Sequence, residues 1–140
     1  MPRIDFYVLP DAKPKGRQLL ACRLTEKALA QGHKVFIHTG SPEQSALLDE
    51  LLWTYKDISF VPHAVDRLRA GEPVLVSHTM DRVPEQMSVL INLGDDVPGD
   101  YERFERVTEL IDQSDDIKLE GRNRFRRYRE RGYTPQTHNL

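Results

Sequence analysis

The stretch Leu47–His63, LLDELLWTYKDISFVPH, joins the end of an amphipathic helix to a polar turn and an apolar run stopped by Pro62. Leu47, Leu48, Leu51 and Leu52 recur at helical spacing, so they share one face. Trp53, the chain's single indole, stands at the end of that face. Proline cannot continue a ladder and biases Val61 toward an extended conformation. A leucine-faced helix followed at once by an extended apolar segment predicts a helix packed on a sheet. Trp53, Phe60 and Pro62 read differently, because aromatic residues and proline beside a chain break suit a partner surface.

The surrounding chain predicts the same architecture. IDFYVL, Ile4–Leu9, is rich in β-formers and reads as a first strand. Arg17–Gln31 reads as a helix closed by Gly32, and Val35–Ile37 as a second strand. Ser41, Pro42 and Gln44 supply an N-cap, an N1 proline and a capping box for the leucine-faced helix. Val74–Val76 and Ser88–Asn92 are two further strands, joined by a loop over 77–86. The segment from 64 to Gly71 reads as helical or irregular. Tyr101–Ile111 is predicted to be helical, with Phe104, Val107, Leu110 and Ile111 on one face. Ser114 caps a last helix whose first turn holds Asp115 and Asp116. That helix runs to about Arg131, Gly132 ends it, and residues 135–140 are expected to be a loose tail. Alternating strands and helices predict one α/β domain over 1–140, in three layers, with a mostly parallel sheet and helices on both faces.

Composition bounds the function. The chain has 140 residues, 39% of them hydrophobic and 30% charged, with a formal net charge of −2, an ordinary globular balance. A single cysteine, Cys22, excludes an internal disulfide framework and a cysteine-rich zinc site. The sequence lacks an 18-residue apolar run and a signal-peptide pattern, so a reduced, cytoplasmic protein with no membrane partner is expected.

The expected catalytic chemistry is equally sparse. The turn after the first strand, Pro10–Gly16, holds one glycine and two prolines, and so supplies neither GxGxxG nor a P-loop. None of His33, His38, His63, His78 and His138 falls in a zinc-site spacing. His38 and His78 follow short apolar strands, where α/β enzymes place catalytic groups. The plainer role for them is to cap strand ends. No catalytic residue, cofactor or metal is assigned.

The last helix carries the strongest signal. KLEGRNRFRRYRER, Lys118–Arg131, holds one lysine and six arginines against two glutamates, in a chain that is net acidic. Lys118, Arg122, Phe125 and Arg129 fall at i, i+4, i+7 and i+11, on one stripe. Such a stripe can hold an acidic peptide, with guanidinium forks for carboxylates and the ring as an apolar anchor. It can equally hold nucleic acid through phosphates and base stacking, or be a solvated face that suits the helix dipole.

FYVL, the helix-to-LW segment, SFVPH, VLINL and the closing R-x-R-F-R-x-Y-R-x-x-G-Y of Arg122–Tyr133 occur together in this order. In that order they resemble the chi subunit of bacterial DNA polymerase III, over nearly the whole chain. The resemblance implies a Rossmann-like fold without a working nucleotide site. It implies no enzymatic activity, and an adaptor that links single-stranded DNA-binding protein to the clamp loader through the psi subunit, meeting DNA only indirectly. It places Lys118, Arg122 and Phe125, with Arg129 and Ile117 beside them, at the site for the acidic, Phe-ending tail of single-stranded DNA-binding protein. It places Trp53, Phe60, Val61 and Pro62 on the surface that meets psi. The chain departs from the family pattern where Phe125 replaces an expected tyrosine. The 112–116 segment is also short, leaving Leu110, Ile111 or Ile117 to line the anchor pocket. The alternatives are a nucleic-acid-binding module built on the arginine helix, or a small enzyme using His38 or His78.

Overall fold

A computed structural model describes residues 1–56 and 61–140. Seven strands form one sheet: β1 Arg3–Val8, β2 Val35–His38, β3 His63–Val65, β4 Val74–Ser77, β5 Val89–Asn92, β6 Arg106–Ile111 and β7 Gln136–Asn139. Their order is β3-β4-β2-β5-β6-β1-β7, and every pairing is parallel. Three helices complete the fold: α1 Gly16–Ala30, α2 Pro42–Thr54 and α3 Asp115–Glu130.

The strand residues alternate between two apolar layers. Val35, Ile37, Val74, Val76, Val89 and Ile91 face α1 and α2, joined by Leu20, Leu48 and Leu52. Phe36, Leu75, Leu90, Val107 and Phe6 face the other way, toward Tyr128 of α3 and toward Tyr101 and Phe104, which precede β6. A parallel sheet is covered on both faces, so its strands read as short runs of unbroken hydrophobicity. The three-layer α/β expectation holds, and the sheet is wholly rather than mostly parallel.

Helix ends follow local chemistry. Ser41 Oγ accepts from the Gln44 amide at 3.2 Å, as a capping box requires, while Gln44 Oε1 turns to the Gly40 amide at 2.9 Å. Ser114 is the N-cap of α3, yet its hydroxyl makes no capping bond. Gly132, with φ of 94°, takes the left-handed position after α3, and the Tyr133 amide returns to Tyr128 O at 3.1 Å.

Three local expectations are overturned. The 101–111 segment is a single 3-10 turn at Tyr101–Arg103 followed by strand β6. Its apolar residues fit i, i+3, i+4 spacing only because β6 is buried on both faces, where period-two alternation disappears. Residues 136–139 are no loose tail: β7 pairs with Asp5–Val8 of β1 and forms one edge of the sheet. The segment from 64 to Gly71 is not irregular throughout: His63–Val65 is the opposite edge strand, and no helix forms there.

Candidate docking surfaces

Helix α3 is fixed to the sheet by one buried polar cluster. Glu109, fully buried on β6, accepts from Arg124 Nε at 2.9 Å and from the Tyr128 hydroxyl at 2.8 Å. Asn92 Nδ2 donates to both of its carboxylate oxygens, at 3.2 and 3.0 Å. A second arm of Arg124 donates to the Asp95 carbonyl at 2.8 Å. Burial, reinforced by the Glu109 charge, pushes the Tyr128 phenol far above its ordinary pKa. The close approach also needs Gly121, where an added Cβ would lie 2.5 Å from Ile111 Cδ1.

This anchoring divides the arginines of α3. Arg124 is interior, and Arg127 pairs with Asp96 at 2.7 Å. Lys118, Arg122 and Arg129 make no side-chain hydrogen bond or ion pair among the described residues, and Arg122 and Arg129 are exposed. Phe125 is half-buried, with its ring 5.1 Å from that of the buried Phe6. Phe125 and Arg129 then border a recess of about 470 Å³ with Gly132, Tyr133, Thr134 and Pro135. Lys118 and Arg122 lie further up the helix and do not line it. Sequence reasoning missed Tyr133 and Pro135, although Gly132 at the helix end was a signal that the chain doubles back there. Of the three candidate anchor residues, Leu110 and Ile111 are buried in β6, while Ile117 is half-buried on α3.

The residues expected on the second surface differ in exposure. Trp53 is 52% exposed, and its ring meets that of His63 edge-on at 5.3 Å. His63 is held from both sides, by Asp49 Oδ1 at 2.7 Å and Val61 O at 2.6 Å. Pro62 is exposed. Val61 points inward, 2% exposed among the core residues beneath α2, so it supports this surface rather than presenting to it. Phe60 lies outside the described residues.

The crevice at the strand ends, where Rossmann-type folds bind nucleotides, is crossed by the chain's own side chains. Arg17, 8% exposed at the start of α1, donates from Nε to Leu110 O at 2.8 Å and reaches Leu93 O at 3.5 Å. Burial, with the nearby Arg124 charge, draws its pKa below the guanidinium norm. His38 Nδ1 is tied to Asn92 Oδ1 at 3.0 Å, and Gly94 lies against the ring. At these central strand ends Arg17 and His38 are thus spent on the chain's own backbone and amides. Among the described residues no group of three or more His, Cys, Asp or Glu could hold a metal ion, and no helix is long and apolar enough to cross a membrane.

Fold and surface together define a Rossmann-like α/β protein whose central strand-end crevice is occupied by its own side chains. The sequence profile of the family described as DNA polymerase III chi subunit, HolC, matches residues 1–136, and the chain belongs to that family. It is 40% identical to the DNA polymerase III subunit chi of Pseudomonas aeruginosa, covering 100% of this chain and 98% of the relative. The subunits chi of Escherichia coli and Haemophilus influenzae are 29% and 27% identical, over 98% and 97% of this chain and 97% and 96% of theirs. Family membership places the chain in DNA replication, in an accessory and non-catalytic role.

Proposed function

We propose that this chain is an adaptor of the replication machinery that holds the acidic C-terminal tail of single-stranded DNA-binding protein on α3. The psi subunit of the clamp loader would take the surface around Trp53 and Pro62. One observation carries the first half: Arg122, Arg129 and Lys118 are unpaired beside a half-buried Phe125, while Arg124 and Arg127 on the same helix are consumed internally. Guanidinium forks match carboxylates in pairs, and the ring and Ile117 offer apolar contact for a terminal aromatic residue.

Exposed ion pairs alone contribute only about 0–1 kcal/mol each, so charge by itself gives weak, salt-sensitive binding. Apolar burial and chelation of the terminal carboxylate supply the remainder. The test is titration of a labelled peptide with acidic residues and a C-terminal Phe, followed by fluorescence anisotropy. Amidating its C-terminus or deleting the Phe weakens binding about tenfold or more if a desolvated carboxylate and an anchor are recognised. Affinity that follows only the peptide's total charge identifies a generic basic face and refutes the reading.

A further inference from the structure

A separate recess of about 370 Å³ opens at the C-terminal ends of β3 and β4. In the sheet this end is separated from β6, beneath α3, by β2 and β5. Parallel α/β sheets bind ligands outside the carboxyl ends of their strands. Here the Arg17 and Asn92 contacts occupy the central strand ends, and this lateral end stays open.

The lining is rich in donors that have nothing to donate to. Arg67, Arg69 and Arg82 border the recess, and their guanidinium groups make no hydrogen bond or ion pair among the described residues. His78 Nδ1 is buried without a hydrogen-bond partner; Asp66 Oδ1 lies 3.9 Å away, beyond hydrogen-bond reach. Two carboxylates, Asp66 and Asp81, also face this space. Asp66 is already engaged, accepting from Ser77 Oγ at 3.1 Å. Three guanidinium groups outnumber these two carboxylates, so the net demand is for an acceptor-rich anion, because each guanidinium offers five donors and no acceptor.

The shape of that demand selects among anions. An acidic peptide tail needs an apolar anchor, such as Phe125 offers on α3, and among the described residues the only apolar side chain on this recess is Val65. Among the described residues the lining holds no Phe, Tyr or Trp ring, and its one imidazole, His78, has a buried Nδ1, so it offers no broad platform for stacking a base. What remains is a phosphate held by forks and point charge. In a family that serves DNA replication, phosphates arrive chiefly along a strand. We propose that the β3–β4 recess is a phosphate site that holds the backbone of a single-stranded nucleic acid without reading its bases.

The test uses the full chain and a fluorescein-labelled dT oligonucleotide at low salt. The Arg67→Ala, Arg69→Ala, Arg82→Ala variant should bind it about tenfold or more weakly, and its salt slope should fall by about 2, the value for three lost single-strand phosphate contacts. An abasic strand of equal length should show the same loss between wild type and variant. In NMR spectra the His78 ring resonances should shift on adding the strand. Retention of tail-peptide binding shows that the variant is folded and keeps this test separate from that of α3. Oligonucleotide binding that is unchanged in this variant, or is lost only with Arg122→Ala and Arg129→Ala, overturns the proposal. So does displacement of the strand by inorganic phosphate at an equal concentration of phosphate groups, which would make the recess a site for free phosphate.

Discussion

Glu109 shows how much one residue can decide. It lies in the 101–111 segment that the sequence predicts to be helical; in the structure it is the buried acceptor for Arg124, Tyr128 and Asn92. Removing one partner of a buried ion pair strands the other charge away from water. Glu109→Ala is expected to cost about 3–5 kcal/mol, measured by urea denaturation, and to loosen α3 against the sheet. Cys22 makes a second residue-scale prediction. Its thiol is fully buried, and that burial pushes its pKa from 9.0 up to about 12. The folded state keeps the proton longer than the unfolded chain, so the thiol's contribution is complete below pH 9 and is lost as pH rises toward 12. The expected slope is about 1.4 kcal/mol per pH unit in that window. Cys22→Ala should flatten the fall in stability between pH 9 and 10, as followed by denaturation at fixed pH; an identical slope in the variant would place the titration elsewhere.

At the scale of elements, α3 and β7 bear most on function. Arg122 and Arg127 carry the same charge on the same helix, but Arg127 already has Asp96. Arg122→Ala should weaken tail-peptide binding by about 1–3 kcal/mol if it holds a desolvated carboxylate. Arg127→Ala should change it by less than about 1 kcal/mol, as an exposed pair does. Anisotropy titrations of the two variants side by side distinguish a specific stripe from a diffuse basic helix, which would lose equally from either change. Strand β7 makes a different case. It pairs with β1, and His138 on it lies 2.8 Å from Asp5, a carboxylate that is 1% exposed. A chain ending before Gln136 loses that ladder and leaves Asp5 to Arg3 alone. It should be less stable by about 2–3 kcal/mol, read as a lowered urea midpoint; an unchanged midpoint would mean that the segment is dispensable.

Across the whole molecule, the two proposed docking surfaces lie on opposite sides of the sheet. Helix α2, with Trp53, belongs to one apolar layer, and Tyr128 and Phe125 of α3 belong to the other. Groups this far apart, with no shared partner, act additively. Trp53→Ala should therefore reduce capture of the psi subunit about tenfold or more, as loss of a central interface tryptophan does, and leave tail-peptide affinity unchanged. Arg122→Ala should do the reverse, and the double variant should show the sum of the two losses in surface-plasmon titrations. A single change that removes both partners would mean that the residue supports the fold.

The sequence by itself determined the α/β class, the parallel alternation of β1, β2, β4 and β5, the cap of α2, the glycine that ends α3 and the arginine stripe. Each of these follows from local chemistry: β-formers bounded by proline, a serine before a proline, a glycine free to take positive φ, charges repeating at helical spacing. Tertiary structure alone decided what 101–111 and 136–139 become. Burial on both faces erases alternation in β6, and the polar strand QTHN is held only by the exposed edge of β1. The same holds for the arginines. Spacing placed them on α3, but Glu109 and Asp96, brought close by the sheet and the loop after β5, decide that Arg124 and Arg127 are consumed. Val61 was legible as apolar beside a proline, and whether it faces a partner or the core depended on where α2 came to rest. The recess at β3 and β4 had no local signature at all: Arg67, Arg69 and Arg82 meet His78 only because two short strands end side by side.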